Sequence, residues 1–406
     1  MQEIFSATSG RCLQDTQKPV RMNCTDEIKG MTASATALLR DMIAIKSVSF
    51  CEQEVCSHIS AWLNSKGIRH ERIGNNIVSE HITDPSAPAL MLCAHIDTVA
   101  PAPEYSFDPY IPDRTEAAKR ISAMTGRELQ PEEVVAGLGS NDDGASAVAM
   151  IAAFIYFAES SRKQPECQEK INLTLALTCE EERSGQGGMR SLWQKRLSHI
   201  RHAIVGEPTR MKAATSERGL LVIDACAYGA SGHAARNEGV NAIYIAMEDI
   251  AKIRGHAFGK VSRMMGMVNL NVTQINAGTA HNVIPDKCSF VIDIRPTDEY
   301  SNAEILNELQ SICRSRLNAR NLENRSSATR EGSPLLETAT LTGTETFSSP
   351  TTSDWMRIGC DAIKMGPGDS ARSHKADEFV LVSEIEEGIR GYINFIKAFG
   401  RIAGRA

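Results

Sequence analysis

The 406-residue chain lacks several patterns that would fix a function at a glance. Its eleven cysteines include no C-x-x-C pair. Their odd, dispersed placement, with Cys93 and Cys179 in predicted strands, argues against zinc fingers and a disulfide framework. It fits buried thiols in a reducing cytoplasm. No apolar run approaches the length of a transmembrane helix. The first residues lack the basic start and long apolar core of a secretory signal. Residues 1–28 are read as a disordered tail or a misassigned start, with Met22 and Met31 as alternative starts. There is no G-x-S-x-G elbow for a serine nucleophile, and no internal repeat is evident. Positive charge is not in excess: the formal net charge of −6 argues against nucleic acid as the main partner. A cytoplasmic protein with neither a nucleic-acid nor a membrane partner is expected. Hydrophobic content of 42% and charge of 23% describe a soluble globular chain, long enough for two domains.

The organising stretch is Ala89–Pro101. The apolar residues Leu90, Met91 and Leu92 end abruptly in His95 and Asp97, as a buried parallel strand does when its polar residues are kept for the carboxyl end. In open α/β sheets, ligands bind at that end. His95 and Asp97 alternate with Ile96 and so share a face, which lets the carboxylate hold the imidazole's second nitrogen. A core histidine beside a capping aspartate is the ordinary alternative. Two amphipathic helices precede this strand, one over 31–47 with Leu38, Leu39, Met42 and Ile43, the next around Val55, Ile59, Trp62 and Leu63. A polar connection, 102–136, follows it, with an insertion containing some helix at 115–133. Gly137-Leu-Gly-Ser-Asn-Asp-Asp-Gly144 then opens an apolar helix over 145–158. The strand 171–178 runs into Glu180-Glu181-Glu182, and the strand 202–205 into Gly206-Glu207. Three strands and one helix start thus deliver acidic residues to one sheet edge. Taken alone, the run of three glutamates would be a solvated turn; directly after an apolar strand it gains chemical weight.

From Arg218 the pattern becomes one-sided and antiparallel, with strands 220–228, 268–273 and 290–294 and helices 240–253 and 305–317, a βαββα unit inserted into the larger domain. Residues 321–353 are not assigned. Ser383, with Glu386 three residues on, is the expected cap of a final helix. The expected fold class is α/β, a mostly parallel sheet with flanking helices plus a small inserted α+β domain. The parts are 29–215 and 323–406 for the catalytic domain and 216–322 for the insertion.

Five motifs occur in order: His95-Ile-Asp97, Gly137 to Asp142, Glu180-Glu181-Glu182, Gly206-Glu207-Pro-Thr, and Gly366-Pro-Gly-Asp-Ser-Ala-Arg-Ser-His374. Together they resemble the two-zinc aminoacylase and carboxypeptidase-type hydrolases, which include acetylornithine deacetylase, succinyl-diaminopimelate desuccinylase and glutamate carboxypeptidases. The resemblance implies two Zn2+ per chain, with Co2+ as a substitute. Asp142 would bridge them, His95 and Glu207 would complete one ion's ligands, and Glu182 and His374 the other's. Asp97 would orient His95, and Glu181 would be the general base. His233, in Gly-Ala-Ser-Gly-His, would reach the partner subunit's site in a homodimer formed by the inserted domain. Asn282 and Arg295 would hold the substrate, although a strand-face salt bridge explains Arg295 nearly as well. Imidazole and carboxylate donors independently suit zinc. Gly137-Leu-Gly is a poor dinucleotide loop, because Asp142 replaces the third glycine and would repel a pyrophosphate.

The chain departs from the family pattern in three places: Asp143-Gly144 replaces Met-Lys, Lys46 replaces a proline, and 115–133 is inserted near the site entrance. The substrate implied is an N-acyl amino acid: N-acetylornithine, or N-succinylornithine or acyl-citrulline, in arginine biosynthesis. A desuccinylase or dipeptidase of the same family is the enzyme alternative. An inactive relative acting as a binding protein is the non-enzyme one.

Overall fold

The structure, a computed structural model, describes residues 24–163, 170–236 and 238–404. The expected tail lies outside the described residues up to residue 23. Residues 24–28 correct its boundary: they open the helix Cys24–Ala44, whose Ile28 is already in the core. That helix and Gln53–Ser65 pack Leu38, Leu39, Ile59 and Leu63 into the main core.

The main sheet has nine strands among the described residues. At its centre, Ala89–His95 is flanked on both sides by parallel partners, Asn172–Thr178 and His202–Val205; Leu92 lies opposite Leu175 and Ile204. Asp361–Lys364 runs parallel on the far side of His202–Val205. Four strands therefore end at one edge, followed immediately by Asp97, Glu180–Glu182, Glu207 and the 366–374 segment. Antiparallel strands that sequence reading did not assign, Glu71–Ile73 and Asn76–His81, extend the sheet beyond Asn172–Thr178. Within the unassigned 321–353 region lie the helix Pro334–Thr342 and the strands Ser327–Ala328 and Thr346–Ser349.

The helix Ala145–Lys163 packs between the first and last helices and buries Phe154 and Phe157. Each such aromatic contributes roughly 1.5–3 kcal/mol. The stretch Ser140–Ser161 is in fact long and apolar enough to cross a membrane, contrary to expectation, but 72% of its apolar window is buried inside the protein. A core helix meets the same compositional test. In the last helix, Val382–Ala403, the buried face is Ile385, Ile389, Tyr392, Ile393 and Ile396. Its cap is formed not by Ser383 and Glu386 but by Glu384, which accepts the Leu381 N–H at 2.8 Å.

The inserted unit is an antiparallel sheet ordered Asn269–Ala277, Lys287–Arg295, Leu221–Tyr228 and Arg316–Ala319. The helices Ala242–Gly255 and Asn302–Ile312 share its core with Ile223, Phe290 and Ile292. The expected helix 305–317 stops at Ile312, and 316–319 becomes the fourth strand. Asp249, fully buried, accepts the Arg314 and Ser315 N–H groups at 3.1 and 2.7 Å, which turns the chain out of the helix. The chain enters and leaves this unit side by side, with the Leu220 N–H donating to Asn324 O at 3.0 Å. The 115–133 insertion contains the helix Arg114–Thr125, capped by Asp113 and ended by Gly126 at φ 66°.

Candidate metal centre

His95 ends the central strand and is buried. Its Nδ1 donates to the backbone carbonyl of Asp97 at 2.9 Å, which aims Nε2 at Asp142 Oδ1, 3.3 Å away. The Asp97 carboxylate, expected to orient this ring, is 3.5 Å from Nδ1. Its closer partners are the Glu181 and Glu182 N–H groups at 3.0 and 3.2 Å and the Ser49 hydroxyl at 2.7 Å. Asp97 thus orients His95 chiefly through its main chain and fixes the acidic turn with its side chain.

The Asp142 loop needs its glycines. Gly137 has φ 130°, and a side chain there would strike Ile43 and the Pro109 carbonyl; Gly139 has φ 75°. Asp142 Oδ2 lies 3.7 Å from His374 Nε2, which is 2.9 Å from Glu182. Ligand atoms of His95, Asp142 and Glu182 all lie within 4.8 Å of one another. Asp142 therefore presents one oxygen to each of two histidines that arrive from different parts of the chain.

The charge balance is one-sided. Burial pushes the Glu181 carboxyl well above its ordinary range, and the neighbouring charges of Glu207 and Glu182 push the same way. Burial also raises Glu207 well above that range, against the pull of Lys364. Burial raises Asp143 to about 8, and neither of its oxygens has a hydrogen-bond partner among the described residues. Glu378 rises to about 8 and Asp354 to about 6, burial again being the main cause. His374 is raised to about 9 by its hydrogen bond to Glu182. Burial alone would lower His95, but its bonds to Asp142 and Asp97 hold it well above its usual value. So many buried carboxylates, faced mainly by two imidazoles and Lys364, form a site that divalent cations would neutralise. The mixed N/O donor set fits zinc.

The structure brings together His95, Asp97, Asp142, Glu181, Glu182 and His374, with Glu207 close enough to feel the charges of Asp142 and His95. Other expected residues lie on the inserted unit. His233 is exposed in a two-residue strand, Gly232–His233, that pairs with Val283–Ile284. Asn282 is also exposed, and its carbonyl accepts the Ala234 N–H at 3.0 Å. Arg295 bonds Asp293 on its own strand, at 2.9 and 3.2 Å. Sequence reading missed Glu378, Asp143, Asp354 and Lys364. Glu378 and Asp143 stand next to recognisable motifs, whereas Asp354 and Lys364 carry no local signal.

Residues 215–321 match the peptidase dimerisation domain of the M20 family. An acetylornithine deacetylase of Myxococcus xanthus is 28% identical over 240 residues, which cover 54% of this chain and 62% of that enzyme. The match thus spans less than two thirds of the relative's length. A probable carboxypeptidase of Aspergillus clavatus is 25% identical and is covered over 93% of both chains. In fold the chain is similar to the Bacillus subtilis YXEP protein, a dinuclear metal-binding peptidase of the M20 family. The TM-score is 0.64 at 14% identity, over 91% of this chain and 98% of that one. With a stretch that matches the M20 dimerisation domain set into a mostly parallel α/β domain, the chain is a distant relative of M20 deacetylases, desuccinylases and carboxypeptidases.

Proposed function

We propose that the chain is a two-zinc amidohydrolase that removes the acyl group from an N-acyl amino acid, with N-acetylornithine as the leading substrate and cobalt as a working substitute. The observation that carries this reading is Asp142, whose two carboxylate oxygens face His95 at 3.3 Å and His374 at 3.7 Å, as a shared ligand requires. His95 and Glu207 would hold one ion, and Glu182 and His374 the other. Bound ions would polarise the scissile carbonyl and make water acidic enough to lose a proton near neutral pH. Glu181 would take that proton and return it to the leaving amine. Asp97 holds the turn that carries Glu181. His233 of a partner subunit would donate to the oxyanion of the tetrahedral species, in a homodimer built through the inserted domain. Asn282 would bind the substrate's carbonyl or carboxylate, and Arg295 would do so only after releasing Asp293.

The similarity to an acetylornithine deacetylase, and the loop Gly137 to Gly144, favour the acyl-ornithine substrate class and a cytoplasmic place in arginine biosynthesis. N-Succinylornithine and acyl-citrulline share its chemistry. A peptidase reading is favoured by the full-length likeness to the Aspergillus clavatus protein. A metal-free binding role is not favoured, because the ligand set is complete. The test is metal analysis of protein purified without chelator, followed by a panel of acetyl- and succinyl-ornithine, acyl-citrulline, succinyl-diaminopimelate and dipeptides. About two zinc ions per chain and highest kcat/KM on acetylornithine are expected. Less than one tightly bound metal in active protein would sink the mechanism, and preference for dipeptides would move the substrate.

A further inference from the structure

We propose that Glu378 is a positioning residue that holds Asp142 in place, and that its neighbour Asp377 pins the 102–136 connection to the same short segment. The proposal rests on the reading of Asp142 as the shared ligand. Glu378 is buried, at 2% exposure, yet it bonds no cationic side chain among the described contacts. Its Oε2 accepts the Gly139 N–H at 3.0 Å, and its Oε1 accepts those of Asn141 at 2.8 Å and Asp142 at 2.9 Å. Three amides of one loop thus converge on a single carboxyl group, the geometry of a backbone anion nest, and favour its ionised form against the burial that pushes its proton affinity up. Gly139, at φ 75°, supplies the left-handed residue such a nest needs. The main chain reinforces the contact. The Gly137 N–H donates to Glu378 O at 2.9 Å, and Ala136 pairs with Phe379 in the short ladder beside it.

Glu378 lies four residues after His374, so one segment carries a proposed ligand and the clamp on another. A second tie runs the same way. The Asn141 side chain accepts the Asp369 N–H at 2.8 Å and donates to Asp369 O at 3.1 Å. Asp377 points elsewhere. It accepts the Ser106 N–H at 2.7 Å, the Ser106 hydroxyl at 2.9 Å and Arg120 Nε at 2.7 Å, which ties in the helix Arg114–Thr125. Two adjacent carboxylates therefore serve different structures: one the Asp142 loop, the other the 102–136 connection.

Hydrogen exchange on metal-free protein, combined with zinc titration, separates this from a merely structural role. In the wild type, the amides of Gly139, Asn141 and Asp142 should be protected. Glu378→Gln offers only one acceptor oxygen and turns an NH2 group toward an N–H donor. Exchange at those amides should rise at least about tenfold, and zinc affinity should fall about 10–100-fold, the usual cost of losing an outer partner of a ligand. Asp377→Asn should leave both unchanged and loosen exchange around Ser106 and Arg120 only. Unprotected amides at 139, 141 and 142 in the wild type would overturn the proposal without any variant. So would unchanged zinc affinity and protection in folded Glu378→Gln, or identical effects from the two substitutions. Faster exchange in Glu378→Gln of a protein that takes up no zinc would uphold the positioning of Asp142 while sinking its role as a ligand.

Discussion

The two domains treat charge in opposite ways. At the carboxyl edge of the main sheet, Asp142, Asp143, Glu181 and Glu207 are drawn from water and raise one another's proton affinity or compete for the same few cations. In the inserted unit most charges lie at the surface and are matched locally, as Arg295 is with Asp293 and Arg320 with Asp224, while the buried Asp249 is met by two backbone amides. Uncompensated buried charge is costly, and a fold keeps it where a ligand supplies the missing counter-charge. Exposed pairs contribute little and tell little about function. The contrast gathers the buried charge at the sheet edge; on the proposed reading the inserted unit would contribute through His233 or Asn282.

The sharpest way to break this contrast is to change one carboxylate at the edge without changing its shape. Glu181→Gln should retain fold and metal while kcat falls by roughly 10²–10⁴, the range for losing general acid–base help. Glu182→Gln, one residue away, should lose metal instead, because its carboxylate lies against His374. Metal content and kcat measured together on both variants decide the matter. If both keep metal and lose the same activity, the division between base and ligand is wrong.

What could be read in advance was what is local. An apolar run that stops at a histidine or glutamate marks the end of a buried strand, so His95, Glu181, Glu182 and Glu207 were legible one strand at a time. Their convergence depends on parallel pairing of Ala89–His95 with both neighbours, which no single stretch encodes. Glu378 was invisible because its partners are backbone amides 236 to 239 residues away. Lys364 was missed because it ends the short strand Asp361–Lys364 and its partners, the Thr351 carbonyl at 3.0 Å and Glu217, come from other parts of the chain. The error at 305–317 has a similar source. Ile305, Leu309, Cys313 and Leu317 keep a four-residue spacing, but the buried carboxylate of Asp249 takes the amides that would have continued the helix. Tertiary partners overrode the local period there.

A second prediction asks whether the inserted unit contributes across subunits. Loss of one oxyanion donor lowers kcat by about 10²–10³, so His233→Ala should fall in that range with metal unchanged. Mixing distinguishes the sources of the group. When His233→Ala and Glu181→Ala chains exchange subunits, one site in each mixed dimer has Glu181 from its own chain and His233 from its partner, so activity returns. If His233 serves its own chain, every site lacks one group and the mixture stays inactive despite confirmed exchange. That result would detach the inserted unit from catalysis and leave the sheet edge to act alone.

The smallest expected effect tests the other half of the contrast, that charge in the inserted unit is ordinary surface charge. Glu304 closes the capping box of the helix Asn302–Ile312. Its carboxylate accepts the Ser301 N–H and hydroxyl, each at 2.8 Å, and pairs with Lys260 at 3.0 Å. The Ser301 bonds, with help from Lys260, hold its pKa at about 2, below the ordinary 4.5. A carboxyl whose folded pKa is depressed stabilises the native state above its unfolded value and ceases to do so as pH falls through the folded one. The contribution of Glu304 should therefore be complete above about 4.5 and vanish by about 2. Glutamine preserves the capping geometry and removes only the charge. Thermal unfolding of Glu304→Gln and wild type should show a small gap in Tm near neutral pH. The gap should close between those two pH values and shrink in salt, because the group is solvent-exposed. A gap that persisted unchanged at pH 2, or resisted high salt, would mean that this charge is held as the sheet-edge carboxylates are, and the contrast between the two domains would fail.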